Sequence, residues 1–238
     1  MDIPIVYSIF YLVSMIIYFI LMGISFKKYP ELPNNEKFPK YMKKIIALNK
    51  PSDKFDTNNL PKRKKYSIFS RMVSGLGNLL CGSAPYFNFA VKLIGTSSTL
   101  LGYYTFILLD KNFISIMGFI GFEIGCIGII LLGILTENRH QLHGVAAALS
   151  FGGYLSSVVF WIYPFINSEF IPNWFVLFNI LPIICCVYHI IANRKFDIHL
   201  QMQDTKITKI IDNYNFSEWL LLISVVVWIV LLYFILLI

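Results

Sequence analysis

An all-α bundle of six transmembrane helices is the fold class that this sequence predicts. Three observations carry the prediction. Hydrophobic residues make up 57% of the 238 residues and charged residues 14%, where a soluble domain carries about 25% charge. Six runs of mostly apolar residues each reach the ~20 needed to cross the hydrocarbon core of a bilayer. The basic residues are sorted to the connections on one side of those runs, as cytoplasmic loops are. Together these exclude a soluble globular domain, a disordered chain and a small disulfide-built secreted domain. The expected organisation is one membrane domain: a first transmembrane helix in 1–26, a basic loop in 27–84, and five further helices in 85–238.

The runs are 3–26, 86–109, 113–135, 143–165, 174–193 and 216–238. Backbone amides in lipid must be satisfied internally, so such runs are helices or barrel strands. Their continuous apolarity excludes the alternation of a barrel strand. The first run begins Met1-Asp2-Ile3-Pro4, with no positive charge, and its apolar stretch exceeds the ~7–15 residues of a signal-peptide core. It therefore reads as a retained span. Trp161, Tyr163, Trp174 and Trp219 fall near span ends, where amphipathic rings sit at the membrane interface. Cys81, Cys126, Cys185 and Cys186 show no metal-ligand spacing and read as small buried apolar residues. No metal and no cofactor is expected.

Six spans place the connections 26–84, 136–142 and 194–215 on one side. These hold 18 of the 20 Lys and Arg residues, in a chain of net charge +7. The charge bias puts all three in the cytoplasm and both termini outside. In the first loop, Phe38, Tyr41, Met42, Ile45 and Leu48 follow helical spacing among Lys40, Lys43, Lys44 and Lys50. The segment reads either as a basic helix on an anionic membrane surface or as a solvated linker, since Pro39 limits the helix start. Lys62-Arg63-Lys64-Lys65 lacks interleaved stacking aromatics, so a nucleic-acid partner is not expected.

Inside the spans, Gly118, Gly121, Gly125 and Gly128 repeat at 3-4-3 spacing, and Ala146, Ser150, Gly153 and Ser157 at 4-3-4. Small residues on one face let two helices approach closely, so the third and fourth spans should form an antiparallel hairpin. Pro182, three residues after Asn179, should kink the fifth span. Lys92 and Glu123 are ionisable groups inside spans, and such groups default to functional hypotheses. Counting back from the turn at Asp110-Lys111-Asn112 places Glu123 level with Thr99, beside Thr96, Ser97 and Ser98. Bonding to these hydroxyls would make it a satisfied core group. The alternatives are a lining of a lipid or ion path, or a pair with Lys92 reached along about 10 Å of helix axis.

Connectivity gathers more than linear spacing does. Ser74, Gly77, Asn78, Asn88, Glu137, His140, His143, His189 and Glu218 all fall at the same membrane face. Glu137, His140 and His143 are chemically suited to zinc, but their spacing is not the His-Glu-x-x-His of zinc hydrolases. They read instead as an interfacial helix start. No nucleophile elbow, phosphate-binding glycine loop or dinucleotide fingerprint is present.

The stretch Met72-Val-Ser74-Gly-Leu-Gly77-Asn78, then Ala84-Pro-Tyr-Phe87-Asn88, then Gly95, resembles the "iSdLG … FN … G" pattern of the domain-of-unknown-function family DUF 998. Gly133-Ile-Leu-Thr-Glu137 and His143-Gly-Val-Ala146-Ala147-Ala-Leu-Ser-Phe151 resemble its "GifPE … HgxaAxxxF". Glu218-Trp219 is similar to the last span of the related group that holds the DRAM autophagy modulators and the FGF-receptor-activating protein. The resemblance covers roughly residues 66–238. It implies a six-span membrane protein linked with lipid handling, lipid recognition or membrane regulation, with Ser74, Gly77, Asn88, Glu137 and His143 as the marked positions. Gly75 stands where the family has Asp, and Thr136 where it often has Pro, which weakens any acid–base role for the loop. Those relatives are drawn with termini in the cytoplasm, opposite to the charge bias here. Three functions compete: non-enzymatic recognition of a membrane lipid, anionic ones included; a lipid-modifying enzyme using Glu137 and His143; and a proton-coupled transporter using Glu123.

Overall fold

The computed structural model describes residues 5–28, 76–77, 83–136, 140–202 and 207–237. Among these residues the regular structure is helical, with no strand. The helices are α1 (Ile5–Lys28), α2 (Ala84–Leu108), α3 (Phe113–Leu132), α4 (His140–Phe160), a short α5 (Ile162–Ile166), α6 (Val176–Met202) and α7 (Ile207–Leu237). The basic segment 37–50, the cluster 62–65 and Cys81 lie outside the described residues.

Local chemistry sets several boundaries. Pro85 occupies the first turn of α2, where its missing N–H costs nothing. Asn112 caps α3, its side-chain oxygen accepting from the Ser115 N–H at 2.9 Å, which satisfies one of the orphan donors of a helix start. The fourth apolar run is not one helix: it divides at Trp161 into α4 and α5. Pro164 has no N–H for the Phe160 carbonyl, and the Val158 carbonyl accepts from Asn179 Nδ2 at 2.9 Å instead. In contrast, α6 runs through Pro182 as one continuous helix.

Among the described residues, five segments are long and apolar enough to cross a bilayer: Tyr7–Lys28, Phe113–Leu132, Gln141–Phe160, Asn173–Lys195 and Asn213–Leu236. At most 44% of any of these windows is buried inside the bundle. The outward faces carry Ile20, Ile127, Ile184 and Ile190, all at least half exposed. A helix that is apolar all round needs an apolar surrounding, and the chain is a helical membrane bundle. The second run is also helical, and its 25 residues span about 37 Å at ~1.5 Å each. Lys92 and the polar stretch 96–99 keep α2 from the same level of apolarity.

The expected loop 194–215 is largely helical: α6 continues to Met202 and α7 begins at Ile207. Apolarity marks where a helix can sit in lipid, and helical hydrogen bonding does not stop there. At 27 and 31 residues, both exceed the ~20 that a bilayer core requires.

Along the chain, α1 packs on α2, α2 on α3, and α3 on α4; α6 packs on α7, and α4 meets α6. The α3–α4 contact is the most extensive of these, and it is the expected small-residue seam. A Cβ on Gly128 would strike the backbone of Ser150, one on Gly153 the backbone of Gly125, and one on Gly121 the Ser156 hydroxyl. Gly118 has a different use, because a Cβ there would meet the Trp161 ring. That ring is fully buried, donates from Nε1 to the Ser115 carbonyl at 3.2 Å, and joins Phe122, Phe165 and Trp228 in an aromatic core. Trp219 is buried as well, stacked on Phe26 of α1. Both tryptophans thus leave the interfacial role expected of them, because helix contacts give each ring more buried area than an interface offers. Trp174 and Tyr163 remain half exposed or more.

Candidate functional site

Among the described residues, one end of the bundle brings together Gly77, Asn88, His143 and Glu218. Gly77 lies against the start of α2: its carbonyl accepts from Asn88 Nδ2 at 3.2 Å, and a Cβ on it would sit 2.6 Å from Asn88 Oδ1. The preceding Leu76 carbonyl accepts from the Ser83 hydroxyl at 2.7 Å, and its side chain packs with Tyr18, Met22, Phe87 and Trp219. The Asn88 carbonyl in turn lies against Gly133 at the end of α3. Two residues on, the Leu135 carbonyl accepts from His143 Nδ1 at 2.7 Å. A carbonyl only accepts, so Nδ1 carries the proton, and a neutral imidazole then keeps its lone pair on Nε2. His140 opens α4. Ser74, Asn78 and Glu137 lie outside the described residues.

His189 has separate company. Its Nδ1 donates to the Ser217 hydroxyl at 2.9 Å, that hydroxyl donates to the Tyr214 carbonyl at 2.7 Å, and the imidazole stacks on the Tyr214 ring. With Tyr188 donating to Asn213 Oδ1 at 3.2 Å, this is a clasp between α6 and α7.

Five helices enclose a cavity of about 80 Å³ at this end, room for about six water-sized groups. Its walls come from α1 (Met15, Tyr18), α2 (Phe87, Val91), α3 (Ile129), α4 (Ala147, Phe151) and α7 (Leu222, Val225), and are almost wholly apolar. Polar groups stand at its two ends. His143 and Glu218 line the end at the gathered face; Tyr11, Ser98 and Tyr154 line the end near the middle of the bundle. From His143 to Tyr154, eleven residues along α4, is about 16 Å. His189 is not part of this lining.

The deep polar residues take up positions other than those expected. Glu123 faces Gly102, with Oε1 2.8 Å from the place a Cβ there would occupy, almost one helical turn beyond Thr99. The sequence count assumed parallel helix axes and equal depth on both sides of the turn. The hydroxyls of Thr96, Ser97 and Thr99 turn back to the carbonyls of Lys92, Ile94 and Thr96, the local bonding open to Ser and Thr in a helix. They are therefore not partners of Glu123. Lys92 rests its stem against Gly133, ten residues from Glu123 on α3, so the two do not pair. Glu123 is absent from the cavity wall.

Two sets of residues escaped the sequence. Tyr11, Tyr154 and Cys126 meet at the deep end, with Tyr154 Oη 3.3 Å from Cys126 Sγ and Ser98 beside both tyrosines. Asn179, fully buried, donates to Val158 and accepts from Trp228 Nε1 at 2.7 Å, which ties α4, α6 and α7 together. An amide in an apolar run was a visible signal; a tyrosine in one was not. Among the described residues no group of three His, Cys, Asp or Glu side chains is placed to hold a metal. Comparison with protein-family models, curated proteins and solved structures finds no match for the chain.

Proposed function

We propose that this protein is a six-span, non-enzymatic lipid-recognition protein whose bundle holds one apolar chain of a membrane lipid. The observation that carries the reading is the five-helix cavity, apolar along its walls and polar at the end where His143 and Glu218 stand. A pocket with apolar lining and a few convergent polar groups suits an amphiphile. Water entering it would find few partners along the walls, whereas an apolar chain placed there makes dispersion contacts along its length. α2 counts as the sixth span in this reading, because it is long enough and packs between α1 and α3. The 18 basic residues of the odd-numbered connections then put the His143 end on the cytoplasmic side and favour an anionic headgroup.

The test is co-purification. Protein extracted in a mild detergent should retain a stoichiometric lipid by native mass spectrometry. Ala147→Trp, which fills the cavity, should lose it while the protein stays monodisperse. No lipid at any detergent concentration, or equal lipid on the variant, would reject the reading.

One observation favours a second reading, a lipid-modifying enzyme. The bond from Nδ1 to Leu135 fixes the His143 ring at the cavity wall, and a histidine held this way can serve as a general base through Nε2. His143→Ala separates the two: loss of turnover on a bound lipid with retention of binding supports the enzyme, and retained function with an intact fold removes it.

A further inference from the structure

A second, smaller cavity of about 20 Å³ lies between α1, α2 and the end of α7, lined by Tyr7, Ser8, Leu100, Leu101, Tyr104 and Tyr233. Tyr11 lines it too, and among the described residues it alone lines both cavities. Its side chain is buried, so the ring is a partition with space on either side. That partition is held in place. The Tyr11 and Tyr233 rings lie 4.6 Å apart, and the Tyr233 hydroxyl donates to the Ser8 carbonyl at 2.7 Å, anchoring the end of α7 to the start of α1. Below the partition Tyr7 stacks obliquely on Tyr104 of α2.

We infer that Tyr11 is the floor of the chain-binding cavity and sets the length of apolar chain that the protein accepts. The inference rests on the lipid reading above and deepens it. A chain transferred from water into the His143 end gains about fourfold in affinity for each methylene it buries until its end meets the Tyr11 ring. Further methylenes then gain nothing, because they have no cavity to enter. Removing the ring joins the two cavities. The extension runs from Tyr11 to Tyr7, one helical turn or about 6 Å. A zigzag chain advances about 1.25 Å per carbon, given C–C bonds of ~1.5 Å, so the joined cavity accepts about five more carbons. The bulk of the ring sets the floor, and its hydroxyl does not.

The experiment is a chain-length series. The whole chain, held in amphipol, is titrated with saturated lyso-phosphatidylglycerols of increasing length, and affinity is plotted against carbon number. The wild type should rise about fourfold per carbon and then break to a plateau. Tyr11→Ala should rise along the same line and break about five carbons later, while Tyr11→Phe should break where the wild type does. If Tyr11→Ala does not fold, Tyr11→Leu should move the break in the same direction by a smaller step. A break at the same length in Tyr11→Ala or Tyr11→Leu overturns the inference and leaves lipid binding standing. A shifted break in Tyr11→Phe overturns the assignment to ring bulk. Absence of binding at every length in the wild type overturns the lipid reading itself.

Discussion

Gly128 sits where the α3–α4 seam tolerates least, since a Cβ there meets backbone, and backbone cannot swing aside. Gly128→Ala should therefore destabilise the bundle by about 1–3 kcal/mol, the usual cost of overpacking, read as a lowered melting temperature in detergent. Gly152→Ala, one residue from Gly153 on the same helix, has nothing within 4 Å of the added methyl. It should be neutral or slightly stabilising, because alanine favours a helix over glycine by about 1 kcal/mol. Asn179 makes a second residue-scale prediction. Asn179→Leu leaves the Trp228 Nε1 without its acceptor, and a buried donor left unmade costs about 1–3 kcal/mol. A double-mutant cycle with Trp228→Phe should recover part of that loss. The seam was legible in the sequence because 3-4-3 spacing is a property of one helix. Trp161 was not, because the space it fills is made by Gly118 on a different helix.

The α6–α7 pair differs most from its sequence reading as an element. The run of apolar residues stops near 193, and the helix continues to Met202; α7 likewise starts well before its apolar part. A cysteine scan over 207–215 with a water-soluble thiol reagent should show labelling that repeats every 3.6 residues. Uniform labelling would mean a loop and contradict the helical hairpin. The His189–Ser217–Tyr214 clasp holds the pair together just below this extension. Ser217→Ala removes the acceptor of His189 and should raise hydrogen exchange in the adjoining turns of α6 and α7 without altering the distant aromatic core around Trp228. Among the described residues hydropathy located the apolar helices but was silent on the polar turns that lengthen two of them. It was equally silent on the break at Trp161, which a proline three residues ahead brings about.

Five helices of the bundle enclose the larger cavity, and the topology decides which side of the membrane its polar end faces. Single cysteines placed in 26–84 should react from the cytoplasmic side in intact cells, and one at Asp110 should react from outside. Reaction of both from one side would mean that α2 does not cross and the six-span topology is wrong. Composition and the six apolar runs were enough to determine a helical membrane bundle, since lipid admits few ways to satisfy a backbone. Connectivity led to the expectation that Gly77, Asn88, His143 and Glu218 share an end, because antiparallel spans leave alternate connections together. Only the tertiary structure decided that His143 and Glu218 face one cavity, that His189 turns away into a clasp, and that Glu123 meets Gly102 instead of Thr99. It also decided that Tyr11 stands between two cavities. Rotation and depth of each helix are set by which side chains interlock with which neighbours, and that information is distributed over several helices and carried by no single run of residues.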